Sequence, residues 1–354
     1  MLSPMPNKGG NIKRAASHSL RAAFRGFLTL LFPAVAFSQE VPPAPNIRIN
    51  VDRVSVGVVV TDLHGQFVQG LQSGDFHLFD DGVEQPITDF LSVDEPAQVL
   101  LLVEAGPAVY MVQSGHLQAV QVLLDGLAPA DRVAIARYDQ NAEPLLNFIP
   151  DKRVAAGALD QLRFNLGFGQ LNLASSLDTA LDWLAGVPGK KSLVLLSTGV
   201  DTSPPDSLQK LLARLPSTDV RILPVSLSGP ASAPATPAKK APKKNQPPDP
   251  KVQLTSDGLA AAAQELTAIA EANGSRAYFP KTSQDFTQVF AEVSQLIRHE
   301  YSLGFRPPAR DGRVHAITIS LTAPTCAVPT SDTSPACRCD HRRAYVAPLP
   351  DEAK

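Results

Sequence analysis

Val99-Leu-Leu-Leu-Val103 is an unbroken apolar run that stops at Glu104 and a turn of small residues, Ala105-Gly-Pro-Ala-Val109. A run of this length bounded by turn signals reads as a strand buried on both faces, which is the environment of a parallel sheet. From about Ser114 to Leu127, the apolar residues Leu117, Val120, Leu123, Leu124 and Leu127 recur at helical spacing. Strand, turn and helix follow one another, and open α/β sheets bind ligands at the carboxyl ends of their strands. Glu104, Gly106 and Ala108 thus stand where a site would be built.

The same alternation continues downstream. Asp131–Tyr138 reads as a strand with Leu145–Ile149 as a short neighbour, Val154–Leu162 as a helix, and Leu173–Leu184 as a helix closed by Gly186. Ser192–Ser197 is a further buried strand, followed by a helix over Asp206–Leu215 and a strand over Val220–Leu227. A helix over Asp257–Ala272 closed by Asn273-Gly274, an edge strand at Arg276–Phe279 and an amphipathic helix over Gln284–Arg298 complete the series. This pattern predicts an α/β domain over 97–299, a doubly wound, mostly parallel sheet with helices on both faces.

The flanks change period. Val51–Val60, Gln66–Leu71, Asp75–Phe79 and Ile87–Val93 have strand character, with Asp80-Asp81-Gly82 as a hairpin turn. Tyr301–Phe305, Ala316–Thr322 and Arg343–Val346 return to the period of two. Neither end has enough strands for its own core, so 47–96 and 300–347 are expected to form one small antiparallel β-sandwich into which the α/β domain is inserted. Asp75, Asp80, Asp81 and Glu84 lack the alternate-ligand spacing of an EF-hand and read as turn and solvated-face residues.

Residues 1–38 read as an export signal: Lys8, Lys13, Arg14, Arg21 and Arg25 precede an apolar run over Gly26–Phe37, with small residues before Gln39. Its removal takes away five positive charges and no negative one, moving the formal net charge from −2 to −7. An acidic mature chain is unsuited to nucleic acid, and no later segment is apolar enough to span a bilayer. Residues 229–251 are rich in Pro, Ala and Lys and read as a disordered, solvated insertion. Cys326, Cys337 and Cys339, in an exported chain, suggest one disulfide and one spare thiol, with the pairing open. No Gly-x-Ser-x-Gly elbow or His-Glu-x-x-His helix occurs, and Gly189-Lys-Lys-Ser192 has Leu184 where a phosphate-binding loop needs its first Gly.

The order of elements, with Leu100-Leu-Leu-Val-Glu104, Arg132-Val-Ala-Ile-Ala-Arg-Tyr138, Leu193-Val-Leu-Leu-Ser-Thr-Gly199 and Arg276-Ala-Tyr-Phe279, resembles a von Willebrand factor type A domain. The flanking Val58-Val-Val-Thr-Asp62, Asp75-Phe-His-Leu-Phe-Asp-Asp-Gly82, Tyr301-Ser-Leu-Gly-Phe305 and Arg343-Ala-Tyr345 resemble the exported, A-domain-related proteins typical of Acidobacteria. The resemblance implies a Rossmann-like fold and a metal-ion-dependent adhesion site built from Asp-x-Ser-x-Ser, a Thr and a second Asp. Those positions fall here on Glu104, Gly106, Ala108, about Leu171, and Thr198, with Asn172 and Asp201 as nearby oxygens out of register. Mg²⁺ demands near-octahedral oxygen ligands, so the resemblance implies a degenerate site without a metal or other cofactor. The expected function is a non-catalytic interaction, adhesion or scaffold module of the periplasm or cell surface with an unidentified protein or envelope partner. The alternative is a periplasmic hydrolase using Glu104.

Overall fold

The computed structural model describes residues 53–106, 116–162, 169–204, 206–228, 256–322, 326 and 337–348. The export signal, the 229–251 insertion and Ala108 lie outside the described residues.

The central sheet has five strands in the order β7-β6-β5-β8-β9. They are β5 (Ala97–Glu104), β6 (Arg132–Tyr138), β7 (Ala142–Ile149), β8 (Lys190–Ser197) and β9 (Val220–Ser226). β5 pairs in parallel with β6 and β8, and β8 with β9, while β7 runs antiparallel along the edge. Pro144 is tolerated in β7 because an edge strand has a side without ladder hydrogen bonds. Of the expected strand at Arg276–Phe279, the described structure keeps one parallel bridge, Val225 to Tyr278.

The apolar run of β5 explains its central place, because it is buried on both faces. Val99, Leu101 and Val103 pack with Val133, Ile135, Val194 and Leu223 beneath α1 (His116–Gly126), α2 (Lys152–Leu159) and α6 (Ser283–Arg298). Leu100 and Leu102 point the other way, toward α3 (Leu173–Ala185), α4 (Ser207–Arg214) and α5 (Ser256–Asn273). α6 starts on a capping box: Thr282 Oγ1 accepts from Asp285 N, and Asp285 Oδ2 accepts from Thr282 N.

Two four-stranded antiparallel sheets flank this domain, ordered β12-β1-β10-β4 and β13-β11-β2-β3. Their strands are β1 (Val54–Asp62), β2 (Phe76–Asp80), β3 (Val83–Gln85), β4 (Asp89–Leu91), β10 (Glu300–Phe305), β11 (Val314–Leu321), β12 (Cys337–His341) and β13 (Ala344–Val346). Both sheets mix strands from the two ends of the chain and share one apolar cluster including Val56, Val58, Leu78, Tyr301, Phe305, Ile317 and Tyr345. Asp81 and Gly82 both adopt positive φ, as the two-residue β2–β3 turn requires. The segment 66–71 contributes only a bridge from Phe67 to Thr61, and the polar strand β12 was not expected from its sequence. Cys326 pairs with Cys337, leaving Cys339 as the free thiol.

Buried cations tie the flanking sheets to the α/β domain. Arg342 donates to the carbonyls of Pro216, Thr218 and Ser55 at 2.7, 2.7 and 2.6 Å. Lys190 Nζ donates to the carbonyls of Ser92, Val93 and Glu300, and Arg221 Nε lies 3.1 Å from Glu300 Oε1. Lys190 and Lys191 therefore belong to the body of β8 and its joints, with Lys191 paired to Asp219.

Candidate functional site

β5 and β8 deliver Glu104 and the Ser197–Thr198 step to the carboxyl edge of the sheet, where β6 adds Tyr138. Glu104 is 0% exposed, so it is neither a solvated loop carboxylate nor an uncompensated anion. Its Oε2 accepts from Thr198 N at 2.7 Å, Thr198 Oγ1 at 2.8 Å and Ser197 Oγ at 3.1 Å, and Oε1 lies 3.0 Å from Thr198 Oγ1. The Tyr138 hydroxyl stands 3.3 Å from Glu104 Oε2 and 2.6 Å from Ser197 Oγ. Burial pushes the Glu104 carboxyl above the usual carboxylate range, against the opposing pull of these donors. Burial, reinforced by the Glu104 charge, holds the Tyr138 hydroxyl protonated well beyond the ordinary phenol range.

Gly106 and Leu171, two positions where the resemblance calls for hydroxyl ligands, are brought together as an apolar contact. A Cβ on Gly106 would stand 2.3 Å from Leu171 Cδ2, so the leucine fills the space a serine side chain would need. Leu171 packs with Val200, Ala262 and Leu259 into a small cap over the sheet edge. Gly199, at φ +81, lets the loop pass under α5, where any Cβ would meet the Ala262 carbonyl oxygen at 2.4 Å. With no side-chain oxygen at either of these two ligand positions, and Leu171 filling the space between them, these residues do not fit an Mg²⁺ site.

Asn172 and Asp201 are also at this edge, but they serve the loops. Asn172 Nδ2 donates to the Gln140 carbonyl, and its Oδ1 accepts from Thr202 Oγ1. Asp201 accepts from Ser203 N at 2.8 Å and from Ala174 N in the first turn of α3 at 3.3 Å, and burial raises its carboxyl. A third acid, Glu265 on α5, was missed by sequence reasoning. Its Oε2 is buried with no hydrogen-bond donor among the described residues, and burial beside the Asp201 charge pushes the carboxyl up to about 8. Nothing in the sequence spacing marks Asp201 as its neighbour.

Chemically, the edge is a closed set of hydrogen bonds under a carbon cap. No histidine among the described residues bonds to Glu104, and a cleft of about 750 Å³ lies elsewhere, lined by Thr61, Ile319, Cys326 and Arg338 among others. No protein-family description matches the chain, and no curated protein does. Among solved structures, the chain is similar to a von Willebrand factor type A protein from Catenulispora acidiphila (11% identity, TM-score 0.44, 84% of this chain and 70% of that one). It is also similar to an aerotolerance-related membrane protein from Bacteroides fragilis (12% identity, TM-score 0.41, 57% and 98%). A third likeness is to the PilB minor pilin from Streptococcus sanguinis (10% identity, TM-score 0.41, 60% and 63%).

Proposed function

We propose that this chain is an exported, non-catalytic interaction or adhesion module of the cell envelope, binding a protein partner through the strand-end face of its parallel sheet without a metal ion. The observation that carries this reading is the internal neutralisation of Glu104: Thr198, Ser197 and Tyr138 occupy its oxygens, and Leu171 fills the space beside Gly106. A carboxylate so enclosed has no open path to a substrate among the described residues, which disfavours the hydrolase alternative. Without an ion to bridge to a partner carboxylate, recognition rests on shape and on hydrogen bonds from the exposed rim. Export is supported by the basic and apolar start of the chain and by the Cys326–Cys337 disulfide, which an oxidising compartment preserves. Among the described residues, no helix is long and apolar enough to cross a membrane.

The test is capture of envelope proteins by immobilised residues 39–354 in EDTA. Gln140 and Gln170 are exposed at the rim, so Gln140→Arg and Gln170→Arg should weaken capture while leaving the melting temperature unchanged. Capture that vanishes in EDTA, or that survives both changes, overturns the reading.

A further inference from the structure

The turn between β2 and β3 carries a second constellation, assembled from residues some 235 positions apart. His315 of β11 lies with its Nδ1 2.9 Å from Asp81 Oδ2 and 3.4 Å from Asp80 Oδ1, and one ligand atom of each of the three residues lies within 4.8 Å of the other two. Ligands on bonds of about 2.1 Å sit about 3.4 Å apart in a tetrahedron and about 3.0 Å apart at adjacent octahedral positions. The two imidazole-to-carboxylate distances already match those spacings.

Every member of the trio has its other polar atom engaged. Asp81 Oδ1 accepts from Ala316 N at 2.8 Å, and Asp80 Oδ2 accepts from the Tyr345 hydroxyl at 2.9 Å. His315 Nε2 faces Asp311 Oδ1 at 3.2 Å, and the Tyr345 ring stacks on the imidazole. Asp311 Oδ1 is itself fixed by Arg313 N. Donation from Nε2–H to Asp311 leaves the Nδ1 lone pair facing two carboxylate oxygens, which is repulsive unless a cation sits between them. This is the carboxylate–histidine–metal arrangement that orients an imidazole ligand.

The cation could be a proton or a metal ion, and Asp80 separates the two. Its side chain is 2% exposed, yet no donor among the described residues makes a hydrogen bond to Oδ1. A proton on Nδ1 would serve Asp81 at 2.9 Å and still leave Asp80 Oδ1 unsatisfied, a costly state for a buried oxygen. A divalent ion bonds all three atoms together and offsets the excess negative charge of Asp80, Asp81 and Asp311. The Asp81 side chain is 56% exposed, which provides an entry path and room for a water in the remaining coordination position. We propose that Asp80 Oδ1, Asp81 Oδ2 and His315 Nδ1 form a binding site for a first-row divalent cation of the Zn²⁺ class, with Asp311 and Tyr345 as positioning residues. One imidazole with two carboxylates and no thiolate suits such ions.

The probe is Zn²⁺ alone, titrated calorimetrically into residues 39–354 carrying Cys339→Ser, so that the free thiol takes no part. One equivalent should bind with a micromolar or lower dissociation constant. His315→Gln and Asp81→Asn should abolish this binding, while Asp311→Asn and Tyr345→Phe should weaken it by about 10–100-fold. In the parent chain, the Nδ1 nitrogen resonance of His315 should shift on saturation, a readout that needs no variant to fold. Absence of binding heat, binding that survives both ligand changes, or an unmoved His315 resonance overturns the proposal.

Discussion

Replacing Glu265 by Gln should stabilise the protein at alkaline pH and do almost nothing near pH 4.5. Glu265 Oε2 is buried without a donor among the described residues and stands beside the Asp201 charge, which together raise the carboxyl to about 8 from an ordinary 4.5. Below 4.5, the group is protonated in the folded and unfolded chains alike. Between 4.5 and 8, the folded chain retains a proton that the unfolded chain has released, so stability falls as pH rises through that window. At about 1.4 kcal/mol per pH unit, the ceiling is about 5 kcal/mol. The residue as a whole is only half-buried, and solvent screening brings the expected penalty at pH 8 to about 2 kcal/mol. Gln keeps the shape and removes the charge, so the variant should gain about 2 kcal/mol at pH 8 and nothing resolvable at pH 4.5. Urea unfolding of both proteins across this range measures the difference directly. A stability difference independent of pH, or a less stable Gln variant at pH 8, refutes the reasoning.

Other outcomes follow from the same structure. Thr198→Val removes the hydroxyl that donates to Glu104 and should cost about 1–3 kcal/mol in urea unfolding, whereas Thr198→Ser should be much milder. Arg342→Met strands three carbonyls at the joint between the flanking sheets and the α/β domain and should cost about 3 kcal/mol or more, read by thermal and chemical unfolding. Reduction of Cys326–Cys337, which closes a loop of separation 11, should lower stability by about 3 kcal/mol in unfolding with and without reductant. Truncation after Arg298 removes both strands that pair with β1, so amide exchange over Val54–Asp62 should accelerate to that of an unfolded segment.

The central sheet was legible because its signal is local. Val99–Val103 is apolar at every position, and only a strand covered on both faces buries them all. The helices announced themselves in the same way, down to the Gly186 stop, whereas the Thr282 cap came only with the structure. β12 was not legible, since exposed Arg338 and Asp340 alternate with Cys337, Cys339 and His341, whose burial depends on β1, nearly 280 positions earlier. The reading of 66–71 as strand failed for the converse reason, because local β character without a continuous partner yields only the bridge at Phe67. Asp80 shows the same limit in its chemistry. Its neighbours Asp81 and Gly82 suggested a solvated turn, yet strand alternation turns Asp80 inward, toward Tyr345 and His315, which no local spacing encodes.

Residue types alone place an acid at 104 and no side-chain oxygen at 106 or 171, and nothing in them shows how that acid is accommodated. The register of β5 between β6 and β8 changes its meaning, because it sets Glu104 opposite Tyr138 and next to the Ser197–Thr198 step. Those three residues each look like ordinary strand-end residues in sequence, but together they offer one amide and three hydroxyls to a single carboxylate. A buried charge is tolerated only when hydrogen-bonded, so this set is a condition for keeping an acid there at all. The residue with the greatest apparent reactivity is thereby converted into a tie between three strands. Around this tie the side chains of Gln140 and Gln170 are exposed.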